Sequence, residues 1–220
     1  MLERLLEPEV MDTPGEAADY DGMDHSAVNR RFAADFLSLP AADSGLTLDV
    51  GTGTPQIPIE LCRQSRTIPI VAIDLADEML KLARRNVAQA GFVDRIRIEK
   101  VNGRRMDYPD SHFAAVVSNS IVHHIPVPAE CLAEMVRVCA VGGRLFVRDL
   151  SRPETEAELR HLVATYAGDA NPHQRALFAA SLHAAQTLAE VRAIVGELGF
   201  APGTVSLTSD RHWTWSAVKR

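Results

Sequence analysis

Cysteine is scarce in this chain, with three among 220 residues at positions 62, 131 and 139. The count is odd and the spacing follows no metal or disulfide pattern, which excludes a disulfide framework. Cys62, Cys131 and Cys139 fall among apolar positions expected in helices, and read as core. The eight histidines are scattered without His-x3-His spacing, so no metal is expected. Long apolar runs are missing too, and none approaches the roughly 20 residues needed to span a bilayer. The first residues include Glu3, Arg4, Glu7 and Glu9, which is not signal-peptide character. A basic excess is absent, since 23 Lys and Arg face 29 Asp and Glu for a net charge of −6. That balance argues against a nucleic-acid partner. One local run, Arg95, Arg97, Lys100, Arg104 and Arg105, begins by alternating with Ile96, Ile98 and Val101, as the solvated face of a strand does. Aromatics make up only 5%, so no stacking pocket for a large planar ligand is evident. What is present, 46% hydrophobic and 24% charged residues, is ordinary for a globular protein in a reducing compartment. The expectation is one cytoplasmic domain over 1–220, with the oligomeric state left open.

Along the chain, residues 1–22 are charged and broken by Pro8, Pro14 and Gly15. Val28, Phe32, Phe36 and Leu39 then repeat at helical spacing until Pro40. From Leu46 the pattern alternates. Strands are expected near 46–50, 69–74, 96–101, 114–119 and 144–149, with helices near 55–65, 76–90 and 128–140. Gly91 closes the second of these helices, and Gly142-Gly143 turns the chain into the fifth strand. Alternating strands and helices imply an α/β fold with a mostly parallel sheet covered on both faces. After Leu150 the rhythm changes. Residues 153–185 hold no strand pattern but two helices, one carrying Leu159, Leu162, Val163 and Tyr166, the other starting at Asn171-Pro172. Thr187 to Glu190 form a capping box for a last helix that ends at Gly199. The tail alternates through Val205 and Leu207, then Trp213, Trp215 and Ala217, as an antiparallel hairpin at a sheet edge. The reading divides into an N-terminal helical cap (1–40), a core (41–150), a helical insertion (151–186) and a last helix with its hairpin (187–220).

Chemistry concentrates at Leu48-Asp49-Val50-Gly51-Thr52-Gly53-Thr54-Pro55 and Ile70-Val71-Ala72-Ile73-Asp74. Two buried strands each deliver a carboxylate to one edge, with a glycine loop between them. A nucleoside-containing ligand suits such an edge. A dinucleotide fingerprint would need a third glycine where Gln56 stands. Pro55 also removes an N–H donor at the helix start that a pyrophosphate would use.

The chain at this point resembles the class I S-adenosylmethionine-dependent methyltransferases. Asp49-x-Gly51-x-Gly53 matches the family's first loop, with Pro55 replacing its third glycine. Asp74 matches the acidic end of the second strand, although Ala76 stands where a serine cap is frequent. Tyr108 to Asn119 and Val141 to Val147 match the approaches to the fourth and fifth strands. The ordered set covers roughly 46–150 and implies a Rossmann-like seven-stranded fold, with S-adenosylmethionine as cofactor. By the same resemblance Gly51, Thr52 and Gly53 approach the methionine and ribose portions, and Asp49 orients the ammonium end. Asp74 accepts from the ribose hydroxyls, and Leu75 and Met79 offer apolar surface to adenine. Asn102 and Gly103 stand where the adenine amino group is read, and Asn119 and Ser120 border the methionine portion and the reacting methyl.

The acceptor side is less specified. His123 and His124 follow the fourth strand, as similar pairs do in quinone-biosynthesis C-methyltransferases, and one of them is expected to act as base. The other reading is that they cap the helix start. Asp149, at the end of the fifth strand, is the second group on this edge, or else the ion-pair partner of Arg148 or Arg152. His173 and Arg175 in the polar loop of 153–185, with Tyr20, Met23 and His25 of the N-terminal segment, are expected to bind a small-molecule acceptor under a lid. The alternative is a solvated loop capped by Asn171. Asn119 is followed by Ser120-Ile121 rather than Pro-Pro-Tyr, which disfavours the amino-methylating nucleic-acid enzymes. A non-catalytic binding protein of the same fold and a nicotinamide oxidoreductase are the remaining alternatives.

Overall fold

Four buried residues, Thr47–Val50, form strand β1 at the centre of a computed structural model that describes residues 2–7, 12–40 and 45–220. Pro8 and Glu9 of the first segment lie outside the described residues, as do the first four residues of the expected core. Six further strands among the described residues join β1: β2 (Ile70–Asp74), β3 (Ile96–Lys100), β4 (Phe113–Asn119), β5 (Cys139–Leu150), β6 (Val205–Leu207) and β7 (His212–Val218). Their order is β3-β2-β1-β4-β5-β7-β6. The first five are parallel, and β7 runs antiparallel between β5 and β6. The order turns outward in both directions from β1. The strand carboxyl ends at β1 and β4 therefore open a crevice, where ligands of open α/β sheets bind.

The period of two along each strand sorts the core into two layers. Leu48, Val50, Val71, Ile73, Val116, Leu145 and Val147 face one way. They pack on Leu132 and Met135 of α5 (Pro128–Val138), on Val191 and Val195 of α8 (Leu188–Glu197), and on Trp213 and Trp215. Ile70, Ala72, Ala115, Val117 and Phe146 face the other way. They meet Phe32 and Phe36 of α2 (Ser26–Leu37), Ile57 and Leu61 of α3 (Gln56–Gln64), and Val87 of α4 (Asp77–Ala90). Phe32 and Phe146 meet edge to face at 5.0 Å, a geometry worth about 1 kcal/mol beyond the area buried. A smaller cluster unites Leu159 and Leu162 of α6 (Glu156–Tyr166) with Leu182 of α7 (Pro172–Ala184), and Leu2 packs against it.

Several expectations are corrected. Pro14 and Gly15 do not break the N-terminal segment: Pro14–Asp21 form helix α1. Thr13 and Glu16 make a reciprocal capping box, and Pro14 sits in the first turn, where its missing N–H costs nothing. Val28 is exposed, and the buried face of α2 is Asn29, Phe32, Ala33 and Phe36. The fifth strand starts at Cys139, and Gly142-Gly143 lie within it at a register shift against β4. Cys139 is thus a strand residue. A Cβ at Gly143 would lie 2.7 Å from the Ala140 carbonyl and 2.9 Å from that of Ala114. The glycine is required by this close backbone approach, not by a turn.

Candidate active site

The loop after β1 is tied to the end of β2. Gly51 and Thr52 N–H groups both donate to the Ile73 carbonyl at 2.9 Å, and Gly53 N–H donates to Asp74 Oδ2 at 2.8 Å. Asp74 Oδ1 accepts from Leu75 N and Ala76 N at 2.7 and 3.0 Å. The acidic side chain thus holds the turn that leads from β2 into the next helix, whose N-cap position, Ala76, has no side-chain cap of its own. Asp12 supplies that cap from a distance, accepting from Glu78 N in the first turn at 2.9 Å. A cleft opens over this unit. Gly51, Gly53, Asp74, Leu75 and Met79 line it together with Asn102, Gly103, Ser120, Ile121 and His124. Tyr20 covers it from α1. Gly51 has φ +74, and a Cβ there would overlap the side chain of Ile121. Asn102 Oδ1 is engaged by Arg104 N at 2.9 Å, leaving the side-chain amide for any ligand.

Behind the glycine loop a second, smaller hollow is lined by Asp49, Thr52, Asn119, Tyr20, His25 and Asn29. Asp49 is 2% exposed, and its Oδ2 has no hydrogen-bond partner. Burial, reinforced by the charge of Asp74, pushes its carboxyl up to about 7. Burial and the surrounding carboxylates push the Tyr20 hydroxyl up to about 12, and burial lowers His25. The rings of Tyr20 and His25 lie 5.7 Å apart.

In the turn after β4 the two histidines part company. His123 is buried, with Nδ1 2.5 Å from Asp149 Oδ1, whereas His124 lines the cleft. Asp149 is itself 1% exposed. It accepts from Val122 N at 2.6 Å, His123 N at 3.3 Å and Leu150 N at 2.6 Å, capping the short 3-10 turn Val122–His124. Burial opposes charge on both, but their mutual attraction wins, so His123 is raised and Asp149 lowered. Asp149 therefore lies behind the cleft as the anchor of His123. It pairs with neither Arg148, which binds Asp35, nor Arg152, which binds Glu190.

Residues 2–7 reach this place from the far end of the chain. Arg4 donates to the carbonyls of Ile125 at 2.8 Å, Pro126 at 3.0 Å and Ala184 at 2.7 Å. Glu7 lies 3.1 Å from His124 Nδ1 and 3.5 Å from His123 Nε2. Neither residue was legible as a site residue, because the local signal is only a charged terminus. His173 and Arg175 do not line the cleft. His173 is exposed at the start of α7, and Arg175 donates to the Ala170 and Gly168 carbonyls of its own loop. Asn171 caps α7, accepting from Gln174 N.

Residues 48–147 match the methyltransferase domain family model. The chain is 33% identical over 106 residues to a phosphatidylethanolamine N-methyltransferase of Cereibacter sphaeroides, covering 48% of this chain and 51% of that one. It is 30% identical over 115 residues to a ubiquinone/menaquinone biosynthesis C-methyltransferase of Geobacter sulfurreducens, covering 52% and 45%. The crystal structure of a SAM-dependent methyltransferase from Aquifex aeolicus superposes with a TM-score of 0.68 at 19% identity, over 94% of this chain and 98% of that one.

Over residues 48–147, a little under half of its length, the chain is thus similar to the methyltransferase domain family, and it shares the fold of the Aquifex aeolicus protein. It spans about half the length of the curated relatives it matches. Among the described residues, no helix is long and apolar enough to cross a membrane.

Proposed function

We propose that this chain transfers the methyl group of S-adenosylmethionine to a small-molecule acceptor. The observation that carries the reading is the pair of carboxylates flanking the glycine loop: Asp49, buried with an unpaired oxygen, and Asp74, at the mouth of the cleft. An unpaired buried carboxylate oxygen is costly, and an ammonium group would satisfy it. The donor set fits the cofactor on this ground: Asp49 toward its ammonium end, Asp74 toward its ribose hydroxyls, Leu75 and Met79 against its base. When bound, the cofactor supplies a methyl already activated on sulfur, so the chain's task is to bind, align and exclude water.

His124 is the group we assign to hold or accept a proton at the acceptor, because it lines the cleft while His123 is committed to Asp149. His123 and Asp149 are then positioning residues. The relatives' names place one reaction at nitrogen and the other at carbon, so they support the reaction class and not one acceptor atom. We assign the reaction to the cytoplasm, in keeping with three free buried cysteines. The test is transfer of labelled methyl from S-adenosylmethionine across panels of phenols, quinols and amines. Turnover that disappears in Asp74→Ala and falls at least tenfold in kcat for His124→Ala supports the assignment. Turnover unaffected by either substitution contradicts it.

A further inference from the structure

We infer that Glu7, His123 and His124 form a binding site for a divalent transition-metal ion of the zinc type, at the acceptor end of the cleft. Their ligand atoms all lie within 4.8 Å of one another. Glu7 Oε1 is 3.1 Å from His124 Nδ1 and 3.5 Å from His123 Nε2. These separations bracket the roughly 3.3 Å edge of a tetrahedron whose ligands stand about 2.0 Å from a central ion. Two imidazoles and one carboxylate are a donor set that zinc and its neighbours favour over calcium or magnesium.

Two further observations point to an ion rather than to a plain ion pair. His124 Nδ1 is buried and has no hydrogen-bond partner, although Glu7 is near. An orphaned ring nitrogen facing a carboxylate is what an intervening cation would satisfy. His123 meets Asp149 through Nδ1, which turns Nε2 toward Glu7. A carboxylate behind a ligating histidine is the usual support of such a site, fixing the tautomer and the ring plane. The support is itself rigid, since Asp149 also accepts three backbone N–H groups. On the other side Arg4 holds the turn through the Ile125 carbonyl, and Glu7 lies beside Ser181 Oγ at 3.2 Å.

Three protein ligands leave a fourth position of the ion open. Because His124 lines the cleft, that position takes an oxygen of the acceptor, a hydroxyl or an enolate. This use of the ion rests on the methyl-transfer reading, and where the ion is bound it takes the place of the His124 ring as the group facing the acceptor oxygen; the ion site does not rest on that reading.

Tag-free protein treated with chelator is titrated calorimetrically with zinc chloride, then with cobalt chloride while visible absorption is recorded. The expected result is one equivalent bound, with tetrahedral cobalt bands, and affinity at least 100-fold weaker in Glu7→Gln. His173→Ala, which removes an exposed histidine, is expected to bind as the parent does. Circular dichroism and S-adenosylhomocysteine binding of Glu7→Gln check that it folds, and His124→Gln is the second variant. Failure of the parent to bind one equivalent, or unchanged affinity in folded Glu7→Gln and His124→Gln, overturns the ion site. If S-adenosylhomocysteine still binds in that case, the methyltransferase reading stands without the ion. Zinc bound without any adenosyl affinity would sink the methyltransferase reading alone.

Discussion

The two halves of the cleft are built differently. On the cofactor half, Gly51, Gly53, Asp74 and Leu75 come from two adjacent strand ends, and Gly53 and Asp74 are 21 residues apart. On the half proposed to take the acceptor, Arg4 meets the turn carrying His123 across 119 residues, and Glu7 meets Ser181 across 174. The first half is a local backbone device: a parallel pair, a tight loop and a carboxylate that ties them. The second is a long-range assembly in which a terminal segment closes over a short turn held by a buried ion pair. A fold shared by many acceptors is expected to keep the first and vary the second.

The comparison can be broken most severely at Asp149. Asp149→Asn removes the charge that compensates buried His123. We expect a loss of about 3–5 kcal/mol and a fall in Tm of about 10 °C, measured by thermal denaturation. A change of under 1 °C would mean the acceptor half does not depend on this pair. Phe36→Ala, under the other face of the sheet, is expected to cost a similar 3–5 kcal/mol or so. It should leave the affinity of the folded protein for S-adenosylhomocysteine unchanged, separating core from site.

Asp49 sharpens the cofactor half through pH. Its folded pKa is raised from 3.8 to about 7, so the ligand-free fold binds this proton more tightly than the unfolded chain does. The group therefore lowers stability as pH climbs from about 4 to about 7, by up to about 1.4 kcal/mol per unit. Binding of an ammonium needs the ionised form. Affinity for S-adenosylhomocysteine is expected to weaken by up to about tenfold for each pH unit below 7, and Asp49→Asn to flatten that slope. The smallest effect belongs to His173→Ala and Arg175→Ala. Both lie outside the cleft, so stability is expected to change by less than about 0.5 kcal/mol. A rise in acceptor KM for either would restore the lid that the polar loop suggested.

Legibility followed the same division. The strand ends, the glycine loop, Asp74, and the caps at Asn171 and Thr187 could be read because each is a short pattern with a local physical cause. Asp149 was readable as an edge carboxylate but not as buried, since its partner His123 lies on another strand's turn. Glu7 and Asp12 were invisible because nothing near them in the chain says which distant helix or turn they will serve. Spacing rules for metal ligands would miss the proposed Glu7, His123 and His124 site in the same way, because one of its ligands comes from residues 2–7. The strand at Cys139 escaped because a double glycine reads as a turn, and only the neighbouring backbone of Ala114 reveals the close approach.

The most direct measurement is calorimetric titration of the parent and Asp74→Ala with S-adenosylmethionine, S-adenosylhomocysteine and NADH. Two hydrogen bonds to a charged acceptor are worth about 3 kcal/mol or more together. The account therefore predicts micromolar binding of both adenosyl ligands, at least 100-fold weaker in Asp74→Ala, and no binding of NADH. Binding of NADH alone, or adenosyl binding indifferent to Asp74, would contradict it.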